Sequence, residues 1–165
     1  MQYIISTLSQ MSRIEHNLVK IDYQKINIDN NLLNNNEMRN ISYSLIDIDG
    51  DGIDELYVKF EQMTGYASKI YTYSDSTFHE ACGDYVVATI CTSEHYVMFH
   101  CQEGADVYRI FEVNGDQVNK KDEIYRSAYM EYFRNGNAIS ESEYSAALVY
   151  YRDLQWLTPI TENVY

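Results

Sequence analysis

From residue 41 onward the apolar side chains fall on every second position. Ile41, Tyr43 and Leu45 share one side of their run, and Leu56, Val58 and Phe60 share one side of the next. A period of two is that of a strand with one buried face. Further runs rich in β-branched and aromatic residues follow at SKIYTYS (68–74), DYVVATI (84–90), HYVMFHC (95–101), DVYRIFEV (106–113) and AYMEYFR (128–134). Between them lie SDS, TSE, QEGAD, VNGDQ and RNGN, whose Gly, Asn, Asp and Ser residues suit tight turns. Strands that recur at intervals of roughly ten residues predict an antiparallel β-meander.

Helices are expected at both ends. Ile4, Leu8, Met11 and Leu18 recur at helical intervals and predict an amphipathic helix over 1–21, its apolar stripe facing the sheet. An Asn-rich connection follows over 22–40, where NIDNNLLNNNEMRN favours turns over regular structure. Near the C-terminus, Ser140 and Glu143 form a capping-box pattern, and Ile139 and Tyr144 are spaced for a hydrophobic staple. These signals place a helix over 140–155, with Tyr144, Ala147, Leu148 and Tyr151 on one stripe. The expected fold class is therefore α+β: one domain over 1–165, with an antiparallel sheet over 41–139 and a helix from each end packed on it. No internal repeat of the kind a propeller requires is present.

Composition narrows the partners. The 165 residues are 45% hydrophobic and 14% aromatic, which is enough to build a core, and the formal net charge is −13. Such a surface repels phosphate backbones, and no window clusters Lys or Arg with aromatic residues, so nucleic acid is not an expected partner. No stretch of about 18 apolar residues occurs, so no transmembrane helix is expected. The first twenty residues show neither the basic n-region nor the apolar core of roughly 7–15 residues that marks a signal peptide. The expected location is the cell surface if a leader precedes these residues, and the cytoplasm otherwise. Cys82, Cys91 and Cys101 have no CxxC spacing and leave the redox compartment open. A hairpin of 84–91 with 95–101 would set Cys82 closer to Cys101 than to Cys91, so any bridge is expected at Cys82–Cys101, with three buried thiols as the alternative.

Between the first two strands the chain changes character. The stretch LIDIDGDGIDELYV carries five acids and two glycines within residues 47–55. Asp47, Asp49 and Asp51 alternate with Ile48 and Gly50, Gly52 follows, and Glu55 closes a D-x-D-x-D-G-x-x-E pattern. Calcium takes six to eight oxygen ligands, and alternate acids converge on it when glycine lets the chain curl around the ion. The spacing predicts Asp47, Asp49, Asp51, the Ile53 carbonyl and Glu55 as ligands, with Asp54 pointing outward. An EF-hand would place a bidentate Glu at loop position 12 and continue into a helix. Val58 occupies that position inside an alternating run, so the expected site is a shorter strand–loop–strand one. The competing account is an acidic β-turn without metal. Against it, carboxylates crowded without a cation raise one another's pKa values and cost stability.

The segment Asp47 to Glu55 resembles the calcium loops of integrin-type FG-GAP/VCBS repeats. YSLIDIDGDGIDELYV is similar to a Y-x-L-x-D-x-D-G-D-G-x-x-E-L segment of poorly characterised Firmicutes proteins, many of them predicted lipoproteins. YFRNGNAISESEYSAALVYY resembles the hairpin that leads into the last helix of those proteins. Together the two stretches cover about 35 of the 165 residues. The resemblance implies calcium at the same five positions and a bacterial origin, often outside the cytoplasm. It implies no reaction, and no lipobox cysteine accompanies it here.

Other chemistry has weaker signals. His16, His79, His95 and His100 are scattered, and His100 and Cys101, adjacent in a strand, point to opposite faces, which disfavours zinc. No G-x-S-x-G, H-E-x-x-H or P-loop pattern occurs, so no enzymatic activity is expected. Tyr71, Tyr73 and Tyr129 are candidates for a face that recognises a protein or glycan. The functional expectation is a non-catalytic calcium-binding bacterial module, extracytoplasmic or at the cell surface. An intracellular acidic inhibitor of the immunity type is the alternative, and a carboxylate-based hydrolase is third.

Overall fold

The computed structural model describes residues 39–62, 65–74, 77–102 and 104–163. The helix expected over 1–21 and most of the Asn-rich connection lie outside the described residues. Arg39 and Asn40, assigned above to that connection, instead open the first strand.

Most of the alternating runs form strands, but in two antiparallel sheets instead of the single meander that the even spacing predicts, and of AYMEYFR only Tyr132–Arg134 is strand, with Ala128 to Met130 in a turn. The first sheet contains β1 (Arg39–Ile46), β2 (Glu55–Gln62), β3 (Gly65–Ser74), β4 (Thr77–Asp84) and a short β11 (Glu162–Asn163), in the order β11-β1-β2-β3-β4. The second contains β5 (Ala88–Cys91), β6 (Tyr96–Cys101), β7 (Asp106–Asn114), β8 (Gln117–Arg126), β9 (Tyr132–Arg134) and β10 (Asn137–Ile139), in the order β10-β9-β8-β7-β6-β5. Each sheet is a run of neighbouring hairpins, to which β11 returns as an added edge beside β1.

The segment DYVVATI, read above as one strand, is where the sheets part. Asp84 ends β4, Tyr85 to Val87 are not in a strand, and Ala88 starts β5. Ser68, fully buried on β3, pins this crossing: its hydroxyl donates to the Val86 carbonyl and accepts from the Ala88 N–H, both at 2.8 Å. Backbone polar groups that leave a sheet in the interior need such partners. The crossing also corrects the cysteine geometry. Cys82 belongs to β4 of the first sheet, opposite Ile70, while Cys101 ends β6 of the second. All three cysteines are free, with Cys82 and Cys91 buried and Cys101 half-buried. Burial pushes the Cys82 thiol well above its ordinary pKa.

One core draws on both sheets. Tyr57, Ile70 and Cys82 from the first meet Ala88, Ile90, Val97, Phe99 and Val113 from the second, and all are buried. The opposite residues of the second sheet, including Cys91, Tyr96, Ile110 and Ile124, pack on Tyr144, Ala147 and Tyr151 of the helix α1 (Glu141–Arg152). Period-two alternation thus serves two cores at once, and the second sheet is the middle layer of a sheet–sheet–helix stack.

The helix is shorter than the predicted span but starts where the capping box put it. Ser140 Oγ accepts from the Glu143 N–H, and the Glu143 carboxylate accepts from the Ser140 N–H at 2.8 Å. Both staple residues, Ile139 and Tyr144, reach the helix-side core.

Candidate metal centre

The acidic loop joins β1 to β2 and closes the end of the first sheet. Its second residue, Ile48, is fully buried in the core between the sheets, alongside Tyr57 and Ile70. That anchor holds the loop down while its acids turn outward or across. Gly50 and Gly52 adopt φ of 76° and 86°, the left-handed region that most side chains resist. The bend therefore depends on both glycines.

Asp47, Asp49 and Asp51 each accept a backbone N–H a few residues ahead. Asp47 accepts from Gly50 at 2.8 Å and from Gly52 at 3.1 Å, Asp49 from Asp51 at 3.2 Å, and Asp51 from Ile53 at 2.7 Å. Glu55, the first residue of β2, is 2% exposed and accepts from the Ile48 N–H at 2.9 Å. These bonds draw the chain into a tight coil, with carboxylate oxygens of Asp47, Asp49 and Glu55 within 4.8 Å of one another. Three of the five predicted ligand positions are thereby brought together. Asp51 is outside that group, exposed, with its Oδ1 taken by the Ile53 N–H.

The electrostatics follow from burial and crowding. Burial pushes the Glu55 carboxyl up to about 8; the charges of Asp49, Asp51 and Asp47 add to the rise, and the Ile48 N–H opposes it. Asp54 is half-buried instead of pointing outward, and burial followed by the charge of Asp47 raises its pKa. Near neutral pH, then, a proton on Glu55 offsets part of the crowding. A divalent cation does the same with more charge, and hard oxygens are the donors calcium prefers.

Sequence reasoning missed one participant. The Gly115 N–H, in the turn between β7 and β8, donates to Asp49 Oδ2, tying the loop of the first sheet to a hairpin of the second. A second link beside it runs from the Thr72 hydroxyl to the Asp116 carbonyl at 3.5 Å. Nothing local in VNGDQ signals this pairing, which spans 66 residues.

The tyrosine candidates do not form one face. Tyr71 is 3% exposed and so is not offered to a partner; Tyr73, two residues on in β3, is half-buried; Tyr129 is 88% exposed in the β8–β9 turn of the other sheet. Among the described residues no helix is long and apolar enough to cross a membrane. Comparisons with protein-family models, curated proteins and solved structures return no match.

Proposed function

We propose that this chain is a non-catalytic bacterial binding module whose fold is clamped by one calcium ion in the 47–55 loop. The observation that carries this reading is the convergence of Asp47, Asp49 and Glu55 on one point of a loop rooted in the core by Ile48. Those three carboxylates are the anionic ligands, and Asp51 and the Ile53 carbonyl are the further donors that the D-x-D-x-D-G-x-x-E spacing supplies. A carboxylate oxygen has two lone pairs, so Asp49 can keep its bond to Gly115 while ligating. The ion then acts as a structural staple that holds β1, β2 and the β7–β8 turn together. The resemblance to the FG-GAP/VCBS loops and to the Firmicutes proteins points the same way and favours an extracytoplasmic setting. There, millimolar calcium would fill even a weak site.

Thermal unfolding in calcium, magnesium or chelator tests the site. At calcium near one hundred times Kd, the ion adds about 2.7 kcal/mol, and for a chain of this size that raises Tm by roughly 5–10 °C. The increment should disappear in Asp49→Ala and be much smaller with magnesium, which demands a tighter octahedral shell. A midpoint indifferent to calcium and chelator would end the proposal.

A further inference from the structure

The β8–β9 hairpin turn places in the left-handed region a residue type that the conformation does not favour. Met130 sits at φ 62°, one of three non-glycine residues in the left-handed region among those described; the others are His95 and Asn135. Histidine and asparagine are the types that tolerate this region, whereas methionine gains nothing there and is strained. The strained side chain is not buried in return. Met130 is 56% exposed and its neighbour Tyr129 is 88% exposed. Two large apolar groups therefore project side by side into solvent.

The turn that carries them is fixed from beneath. Ser127 is 8% exposed, and its hydroxyl accepts from the Tyr129 N–H at 3.2 Å and from the Glu131 N–H at 3.1 Å while facing the Glu131 carboxylate at 3.3 Å. Its backbone closes the same loop, with Met130 N–H to the Ser127 carbonyl at 3.0 Å and Ser127 N–H to the Glu131 carbonyl at 2.8 Å. These five bonds fix a five-residue turn before any partner arrives. Preorganisation of this kind lowers the ordering cost of binding, and tyrosine and methionine are residues that carry interface energy.

We propose that the Ser127–Glu131 turn is a preformed docking tip that inserts Tyr129 and Met130 into an apolar cavity of a positively charged partner protein. The sign of the partner follows from charge: Glu131 is the acidic side chain within the turn, and the chain carries −13, which steers basic surfaces towards it and repels anionic lipid and nucleic acid. This inference is independent of the calcium reading.

The test places the photocrosslinking residue p-benzoylphenylalanine at position 129 of the full chain and, as a control, at Tyr85, which is 78% exposed beside the sheet crossing. Illumination in an extract of the source cells should give a protein adduct specific to position 129. That protein, purified, is then titrated against the wild type, Tyr129→Ala and Met130→Gly. The expected result is a basic partner whose affinity falls at least tenfold in Tyr129→Ala and at least tenfold between low and high salt. Met130→Gly should also weaken binding, while its melting midpoint stays equal or rises because the strain is relieved. Adducts shared with position 85, an acidic partner, a lipid or nucleic-acid adduct, or unchanged affinity in Tyr129→Ala would each overturn the proposal. So would a fall in midpoint for Met130→Gly, which would make the side chain structural.

Discussion

Glu55 is where the burial of the acidic loop, and to a lesser degree its crowding, can be measured. Its folded pKa of about 8 lies above the ordinary 4.5, so between those values the folded chain holds a proton that the unfolded chain has released. For a carboxyl raised in the folded state, that preference is fully present below the ordinary value and disappears as pH climbs through 8. Calcium-free protein should therefore lose stability from pH 4.5 to 8, and calcium should flatten the decline by replacing the proton. Glu55→Gln keeps an acceptor for the Ile48 N–H but cannot ionise. The variant should melt with little dependence on pH over that window and should not respond to calcium; a wild-type slope persisting in Glu55→Gln would place the titration elsewhere. At this scale the sequence was informative where the signal is local, as the spacing of acids and glycines is. The alternation of Asp47, Asp49 and Asp51 announced the loop, whereas the anchoring of Ile48 in the core was not read from it. The depth at which Glu55 lies, and the diversion of Asp51 to the Ile53 N–H, depend on how the loop settles on the core and cannot be read from spacing.

At the scale of elements, legibility followed the chemistry of each segment. The helix α1 could be placed because its start is encoded by two residues that bond each other, Ser140 and Glu143. The strand β8, QVNKKDEIYR, escaped prediction because its first half is polar and mostly exposed. Within it Asp122 is 1% exposed, an acid in a position that a pattern of apolar residues would never mark. Arg134 Nε lies 2.9–3.0 Å from both Asp122 oxygens, Asn135 Nδ2 donates to one of them at 3.0 Å, and the Tyr151 hydroxyl donates to the other at 3.1 Å. One carboxylate thus joins β8, the β9–β10 hairpin and α1. The RNGN turn and the tyrosine-rich end of α1, which the sequence shows as separate signals, are parts of this network. Asp122→Ala should cost about 3 kcal/mol, the lower end for breaking a buried ion pair, since Arg134 is open enough to regain water. Ser140→Ala should cost about 1 kcal/mol through loss of the cap alone. Denaturant midpoints measure both, and a similar loss in the two variants would contradict the central place given to Asp122.

For the molecule as a whole, the unread feature was the partition into two sheets. DYVVATI has the composition of an ordinary strand, and whether such a run stays in one sheet or crosses to another is decided by what it packs against, including the Ser68 hydroxyl that holds Val86 and Ala88. The same partition gives the acidic loop a reach that the sequence did not show. Through Gly115 it touches the β7–β8 turn, so an ion bound in the first sheet should be felt in the second. An ion that holds Asp49 in place makes opening of the Gly115 N–H bond rarer, and exchange at that amide requires the bond to open. Calcium should therefore slow hydrogen exchange at Gly115 as well as along 47–55, while leaving the β9–β10 turn at Asn135 and Gly136 unchanged. In Asp49→Ala the protection at Gly115 should vanish. Protection confined to the loop, with Gly115 exchanging at the same rate with and without calcium, would mean that the two sheets are joined by their apolar core alone.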